Sequence, residues 1–167
     1  MAVEALKSTS VTNMDATPAV LNNPGAGAAG LVRQVGDYST VSASASVGST
    51  YRLARIPSNA KVGSVHFESE AQGAGKVQLG LYKSTGDGGA VVDVKFFSDD
   101  IDCASAVAAT DKTFSSGTYA LDKRSQPLWQ AAGLSADVPS GYLDLVATVH
   151  TTAVTTGYGK ELTSHNG

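Results

Sequence analysis

Cysteine, aromatic residues and charged residues are all scarce in this chain of 167 residues. Cys103 is the only cysteine, so no disulfide can form within the chain, and we expect synthesis in a reducing compartment. We expect its thiol to be buried and to pack as a small hydrophobic group. Aromatic residues make up 7% of the sequence and charged residues 16%, which leaves few ionisable groups for catalysis.

Long apolar runs and a strong charge of either sign are also missing. The first residues contain no apolar run long enough for a secretory signal, and no stretch is long enough to cross a bilayer. The formal net charge of −3 provides no attraction for the phosphates of a nucleic acid. The sequence therefore predicts a protein made in the cytoplasm that binds neither membranes nor nucleic acid.

Motifs of catalysis and of cofactor or metal binding are missing too. None of the three histidines, which are His66, His150 and His165, has a partner at a zinc-binding spacing. The serines form no GxSxG motif, and the glycines at 86–89 are not followed by the GK[ST] of a phosphate loop. We therefore predict no enzyme activity, no cofactor and no metal. Hydrolysis by two carboxylates that folding brings together stays an alternative, because such pairs leave no sequence motif.

A period-two alternation between Tyr51 and Thr85 is the clearest structural pattern. It predicts a strand, a corner at Pro57, a second strand, a glycine-rich loop and a third strand, with the last two strands paired in one sheet. The residues expected to face the core are Val65, Phe67, Val77, Leu79 and Leu81. The residues expected to face outward, to solvent or to a subunit contact, are His66, Glu68, Gln78 and Tyr82.

The second half of the chain predicts further strands and short helices. A tight turn at 86–89 separates two strand-like runs, and YLDLVATVHTTAV reads as a strand with both faces partly apolar. SQPLWQAAGLS fits a short helix with Ser125 as its N-cap, held on the sheet by Leu128 and Trp129. Trp129 could instead be an exposed platform for a sugar. Asp99, Asp100 and Asp102 lack the spacing of an EF-hand and predict the start of a second short helix within 98–109.

The chain divides by composition into an arm, residues 1–30, and one domain, residues 31–167. Pro18, Pro24 and a series of glycines interrupt any periodicity in the arm, so an extended segment and a disordered leader both fit. Scattered apolar residues would let an extended arm lie across a partner. We predict that the arm contacts a partner surface or neighbouring copies through Val3, Leu6, Val11, Val20 and Leu21.

A family resemblance covers residues 50–106 well and 140–152 loosely. The run R-L-A-R-I-P at 52–57 is followed by an alternating strand at 62–69, the phrase Q-L-G-L-Y at 78–82 and an acidic segment at 92–104. This order resembles small structural proteins of tailed bacteriophages that are made alongside the major capsid protein. The pattern describes a topology and includes no active-site residues.

The resemblance implies a fold class, partners and a location. The fold is expected to be all-β, a jelly-roll-like β-sandwich with one or two short helices and an extended N-terminal arm. The chain is expected to decorate or cement a phage head, bound to the major capsid protein and to itself as a dimer or trimer. The expected location is the capsid surface of the virion, after synthesis in the cytoplasm of the bacterial host. The alternative is a carbohydrate- or receptor-binding β-sandwich of a phage head or tail.

Overall fold

A computed structural model describes residues 35, 39, 41, 45–115 and 118–151, together with the backbone of 162–166. All of them belong to one compact unit, Arg33–Gly167. The strands are β1 (Thr50–Pro57), β2 (Val65–Ser69), β3 (Lys76–Lys83), β4 (Val91–Asp102), β5 (Val107–Asp111), β6 (Tyr142–His150) and β7 (Leu162–Asn166). Short 3₁₀ helices lie at Thr85–Asp87 and Leu121–Ser125, and a single α-helical turn, α1, spans Leu128–Ala131.

The strands form two antiparallel sheets. Four strands are ordered β1-β6-β3-β4, and three are ordered β5-β2-β7. Except at the β3–β4 hairpin, each connection carries the chain from one sheet to the other, as in jelly-roll-like sandwiches. The all-β sandwich predicted from the sequence is confirmed.

The core lies between the inner faces of the two sheets. Val65 and Phe67 of β2 are fully buried there, and so are Leu79 and Leu81 of β3. Val77 is 3% exposed, so all five residues that the alternation predicts as inward are buried. On β6, Leu143, Leu145, Ala147 and Val149 join the same core, and the outer-face residue Val146 is also fully buried.

The predicted pairing of the two strands within Tyr51–Thr85 is wrong. β2 pairs with β5 and β7, whereas β3 pairs with β4 and β6, so the two strands lie in different sheets. Their inward residues face one another across the core. The alternation of apolar and polar residues shows which side of a strand is buried. The pattern is the same whether two strands pair in one sheet or face each other from two sheets, so it does not predict their pairing.

The predicted helix within 98–109 is also wrong. Residues 98–102 continue β4, and β5 begins at Val107. β3 and β4 pair from Lys76–Asp102 at one end to Tyr82–Val91 at the other, so the acidic segment is tied to β3 by its backbone. Cross-strand hydrogen bonds outweigh the helical preference of the alanines that follow, because tertiary contacts routinely override intrinsic propensity.

Two local predictions from the sequence are close to the structure. The 86–89 turn connects β3 to β4, with Gly88 and Gly89 at positive φ. α1 lies in the predicted helical segment and is followed by Gly133 at φ 76°, but Pro127 occupies its N-cap position in place of Ser125. Leu128 is 1% exposed, and Trp129 is partly buried against the core.

An aromatic cluster fills one region of the core. Phe96 and Phe97 meet edge to face with their ring centroids 4.9 Å apart, and Tyr119 packs against both. The Tyr119 hydroxyl donates a hydrogen bond to the carbonyl of Val62 at 2.8 Å. This bond connects the segment before α1 to the loop between β1 and β2. The sequence FSSGTYALD at 114–122 is strand-like, but none of its described residues belongs to a strand.

Candidate functional site

The predicted interface face is divided between the two sheets. His66 and Glu68 lie on the outer face of the three-stranded sheet, whereas Gln78 and Tyr82 belong to the four-stranded sheet. Tyr82 lies on the outer face as predicted, but it is only 6% exposed beneath Arg52, so it does not face solvent directly. These four residues do not form one surface. The predicted arm contacts Val3, Leu6, Val11, Val20 and Leu21 lie outside the described residues.

The outer face of the four-stranded sheet carries a charged site formed by Arg52, Arg55 and Asp144, which we call the arginine site. Residues three apart on a regular strand point to opposite faces, but β1 has a bulge between Arg52 and Ala54. The bulge lets Leu53 and Ala54 both be buried and returns both arginines to the same face. The register then places β1 beside Asp144 of β6.

Three hydrogen bonds surround the Asp144 carboxylate. Arg55 donates from Nε to Oδ1 at 2.8 Å and from Nη2 to Oδ2 at 3.1 Å, and Arg52 donates from Nη1 to Oδ2 at 2.6 Å. The side chain of Asp144 is only 3% exposed. Burial by itself raises the pKa of Asp144, but the hydrogen bonds and charges of Arg55 and Arg52 outweigh it and hold that pKa below its usual value.

Arg52 also connects the site to the β3–β4 hairpin. It donates to the carbonyl of Lys83 at 3.0 Å and to the carbonyl of Gly89 at 3.1 Å. Its guanidinium carbon lies 5.8 Å from the centroid of the Tyr82 ring, and the Tyr82 hydroxyl pairs with Thr148 Oγ1 at 2.9 Å. The arginine site therefore fastens the edge strand β1 to β6 and to the hairpin, which is a structural role.

A second polar cluster lies at the other end of the same sheet, around His150. His150 Nε2 is 3.2 Å from Asp100 Oδ1, and His150 Nδ1 is 2.6 Å from Thr151 Oγ1. Lys76 donates to the other oxygen of Asp100 at 2.9 Å. Among the described non-glycine residues, Thr151 alone has a positive φ, of 64°. The sequence does not predict this arrangement of a hydroxyl, an imidazole and a carboxylate, because Asp100 and His150 are far apart in the chain.

The His150 cluster has the groups of a proton relay but not the environment of one. Acid–base and nucleophilic catalysis gain most in sites that exclude water, and here the side chain of Asp100 is 51% exposed. Both Asp100 oxygens are engaged, and the hydrogen bond from Lys76 is the main reason that the pKa of Asp100 lies below its usual value. The arrangement fits a surface ion-pair network at the end of β3, β4 and β6.

The turn after β3 is joined to the loop before β6 by a carboxylate. Asp87 Oδ2 accepts hydrogen bonds from the Ser140 hydroxyl at 2.5 Å and from the Ser140 amide at 3.2 Å. The same hydroxyl lies 3.0 Å from Ser84 Oγ. Hydrogen bonding from Ser140 lowers the pKa of Asp87. Each partner is engaged in holding the two loops together.

Within the residues whose side chains are described, no group of three or more histidine, cysteine, aspartate or glutamate residues is placed to hold a metal ion. No helix among the described residues is long and apolar enough to cross a bilayer.

Comparison with known proteins found no relative: no family model matches the chain, and no curated protein or solved structure matches it.

Proposed function

We propose that the chain is a structural protein of a phage virion that binds the outside of the capsid and cements or decorates it. The observation that carries this proposal is the ordered series of phrases at 52–57, 62–69, 78–82 and 92–104, which resembles small head proteins of tailed phages. The proposed partners are the major capsid protein and further copies of this chain.

The structure provides a physical reason for those phrases. R-L-A-R-I-P forms the bulged edge strand whose two arginines hold Asp144. In Q-L-G-L-Y, the leucines enter the core, and the glycine lies under the backbone of β4. In this chain, two of the four phrases therefore contain residues on which the fold depends. A fold alone does not assign a function, so binding to particles is the deciding measurement.

A cement protein acts through many weak contacts with the shell and needs no catalytic site. A shell repeats each contact by symmetry, so a small buried area per copy still stabilises the whole particle. The sandwich would supply a folded body with its own core, and the arm 1–30 would supply a long segment for contacts with neighbouring subunits.

The first test is the protein composition of purified particles of the encoding phage. We expect the chain at a high and fixed copy number relative to the major capsid protein. Particles stripped of the chain should rupture at a lower temperature, and adding the purified chain back should restore the original temperature. Absence of the chain from particles would refute the proposal. A rupture temperature that does not change when the chain is stripped would refute the cementing role.

The carbohydrate-binding alternative depends on Trp129. This side chain is partly buried against the core, and its backbone amide donates to the carbonyl of Ser58 at 3.0 Å. These contacts favour a role in fixing α1 to the sandwich. The alternative stays a prediction, and a glycan array with the wild-type chain and a Trp129→Ala variant tests it directly.

A further inference from the structure

Two large apolar side chains, Phe114 and Leu121, are exposed on the loop between β5 and α1. Phe114 is 43% exposed and Leu121 is 71% exposed. The other exposed large hydrophobic residues of the described chain each lie on a separate element, namely Val47 before β1, Val91 on β4 and Tyr142 on β6. We propose that a second copy of this chain binds at the loop about a twofold axis. The surface, which we call the loop patch, is formed by Phe114, Leu121, Asp122 and Arg124.

The loop patch is built around a buried ring. The Phe114 ring stacks on the ring of Tyr119, with their centroids 5.6 Å apart and an angle of 3° between their planes. Tyr119 is 1% exposed and packs against Phe96 and Phe97. Leu121 follows Tyr119 by two residues, so their Cα atoms lie within about 7 Å of each other. The two exposed apolar side chains therefore flank one ring that belongs to the core.

Hydrogen bonds hold the loop in place before any partner binds. The amide of Ser115 donates to the carbonyl of Phe97 at 3.1 Å, and the amide of Tyr119 donates to the carbonyl of Phe96 at 3.1 Å. The Tyr119 hydroxyl also donates to the carbonyl of Val62 at 2.8 Å. A surface that is already ordered loses less conformational entropy on binding, so more of its contact energy appears as affinity.

One charge of each sign lies beside the apolar pair. Leu121 and Arg124 are three residues apart in the 3₁₀ helix Leu121–Ser125, so their side chains lie on the same face of that helix. Arg124 is also close to Tyr119, because burial raises the pKa of Tyr119 to about 12 while the charge of Arg124 acts in the opposite direction. Asp122 is exposed in the same helix, as is Arg124. The loop patch therefore combines an apolar centre with a carboxylate and a guanidinium.

This combination favours a second copy of the same chain as the partner. In a twofold contact each surface meets itself, so the surface must be complementary to its own charges. Asp122 of each copy can face Arg124 of the other, while the apolar side chains are buried between them. A partner with charges of a single sign would instead meet a like charge at one of these two positions.

The inference concerns contact between copies of the chain and does not depend on binding to a capsid. A single loop gives a contact at the small end of the range for specific complexes, so we expect a dimer that dissociates on dilution. The test uses the purified chain without particles. Its failure would therefore leave the proposed virion function standing.

Sedimentation of the full chain measures its mass at concentrations from about 1 μM to about 1 mM. We expect a monomer at the low end of this range and a dimer at the high end. Leu121→Asp places a carboxylate in the apolar centre and should weaken the dimer at least about tenfold. The matched control is Val91→Asp, which makes a similar change at an exposed valine of β4 and should leave the dimer unchanged.

Charge reversal tests the twofold arrangement. Asp122→Arg and Arg124→Asp should each weaken the dimer, because each places like charges opposite one another. The variant with both substitutions exchanges the two charges in both copies, so opposite charges face each other again. Its dimer should recover most of the lost affinity.

Four results would overturn the proposal. They are a wild-type chain that stays monomeric throughout, a dimer that Leu121→Asp does not weaken, a Val91→Asp variant that loses as much affinity as Leu121→Asp, and a double charge variant that does not recover. Circular dichroism checks that each variant is folded. If Leu121→Asp does not fold, Leu121→Gln replaces it and should also weaken the dimer.

Discussion

Asp144 shows how single residues determine this structure. Its carboxylate is nearly enclosed and keeps its charge because two guanidiniums donate to it. Removing one member of a buried pair is costly because the remaining charge loses its partner. The same three residues connect β1, β6 and the β3–β4 hairpin, so their loss should affect the whole sheet.

Asp144→Asn should lower the free energy of unfolding by about 3 kcal/mol, the lower end of the range for a buried pair, because both arginines remain accessible to water. Urea unfolding at pH 7 measures this value. The control is Asp99→Asn, which removes an exposed carboxylate of the same sheet and should change the unfolding midpoint little. Equal effects of the two substitutions would contradict a special role for the arginine site.

The stability of the chain should fall in acid. The pKa values of Asp144, Asp100 and Asp87 lie below their ordinary values in the folded state. A carboxylate with a depressed folded pKa contributes stability above its unfolded pKa, which is about 3.9, and loses it as pH falls through the folded value. The urea midpoint should therefore be steady from pH 7 to about pH 5 and decline below about pH 4. A urea midpoint that rises as the pH falls below about 4 would contradict the lowered pKa values of these carboxylates.

Cys103 should be unreactive until the protein unfolds. It is fully buried in the core, which confirms the expected packing role, and burial raises the pKa of its thiol to about 11. Only the thiolate is nucleophilic, so the folded chain at pH 8 should react with a disulfide reagent far more slowly than a free thiol. Reaction should become complete in urea. Rapid reaction of the folded chain would show that this part of the core opens readily.

The strands show how one irregular element organises its neighbours. β4 bulges against β3, because Leu79 pairs with Ser98 while Leu81 pairs with Asp93. The extra residues carry the β4 backbone close to Gly80, where a Cβ atom would collide with the backbone of Asp93 and Val94. The bulge also delivers Phe96 and Phe97 together into the core. A glycine inside a strand often marks such a close approach.

Gly80→Ala should therefore destabilise the sandwich by about 1–3 kcal/mol or more, because the backbone of β4 must shift. The comparison is Gly86→Ala in the turn, where the added carbon would have an ordinary contact, 3.7 Å from Ser84 Oγ. Thermal unfolding of both variants measures the difference. If Gly80→Ala melted like the wild type, the close approach of β4 would not constrain the fold.

At the scale of the whole molecule, the sandwich and the arm are expected to have separate roles. Deleting residues 2–30 should leave a folded domain, because the buried residues of the described core begin at Val41 and continue to Val149. Circular dichroism and a cooperative melt check folding. Under the proposed function, the shortened chain should no longer bind particles.

The matched control for that deletion is Val47→Asp in the full chain. It places a charge at an exposed position of the domain, 56% accessible, and leaves the arm intact. This variant should fold and should bind particles as the wild type does. Normal particle binding by the shortened chain would show that the arm does not carry the contact.

The sequence by itself determined the fold class and most of the core. The residues Val65, Phe67, Val77, Leu79 and Leu81 are buried as the alternation predicts, because period two is a local property of any extended strand with one face in the core. Turn residues such as Gly88 and α1 near Leu128 follow from equally local preferences.

Tertiary structure decided which strands meet and which polar groups come together. The separation of β2 from β3, the bulge that aligns Arg52 with Arg55, and the contact between His150 and Asp100 all depend on pairing between distant segments. Such pairing is set by long-range packing and hydrogen bonding, which leave no periodic trace along the chain. The candidate sites could therefore be found only after the sheets were known, whereas the buried faces could be predicted residue by residue.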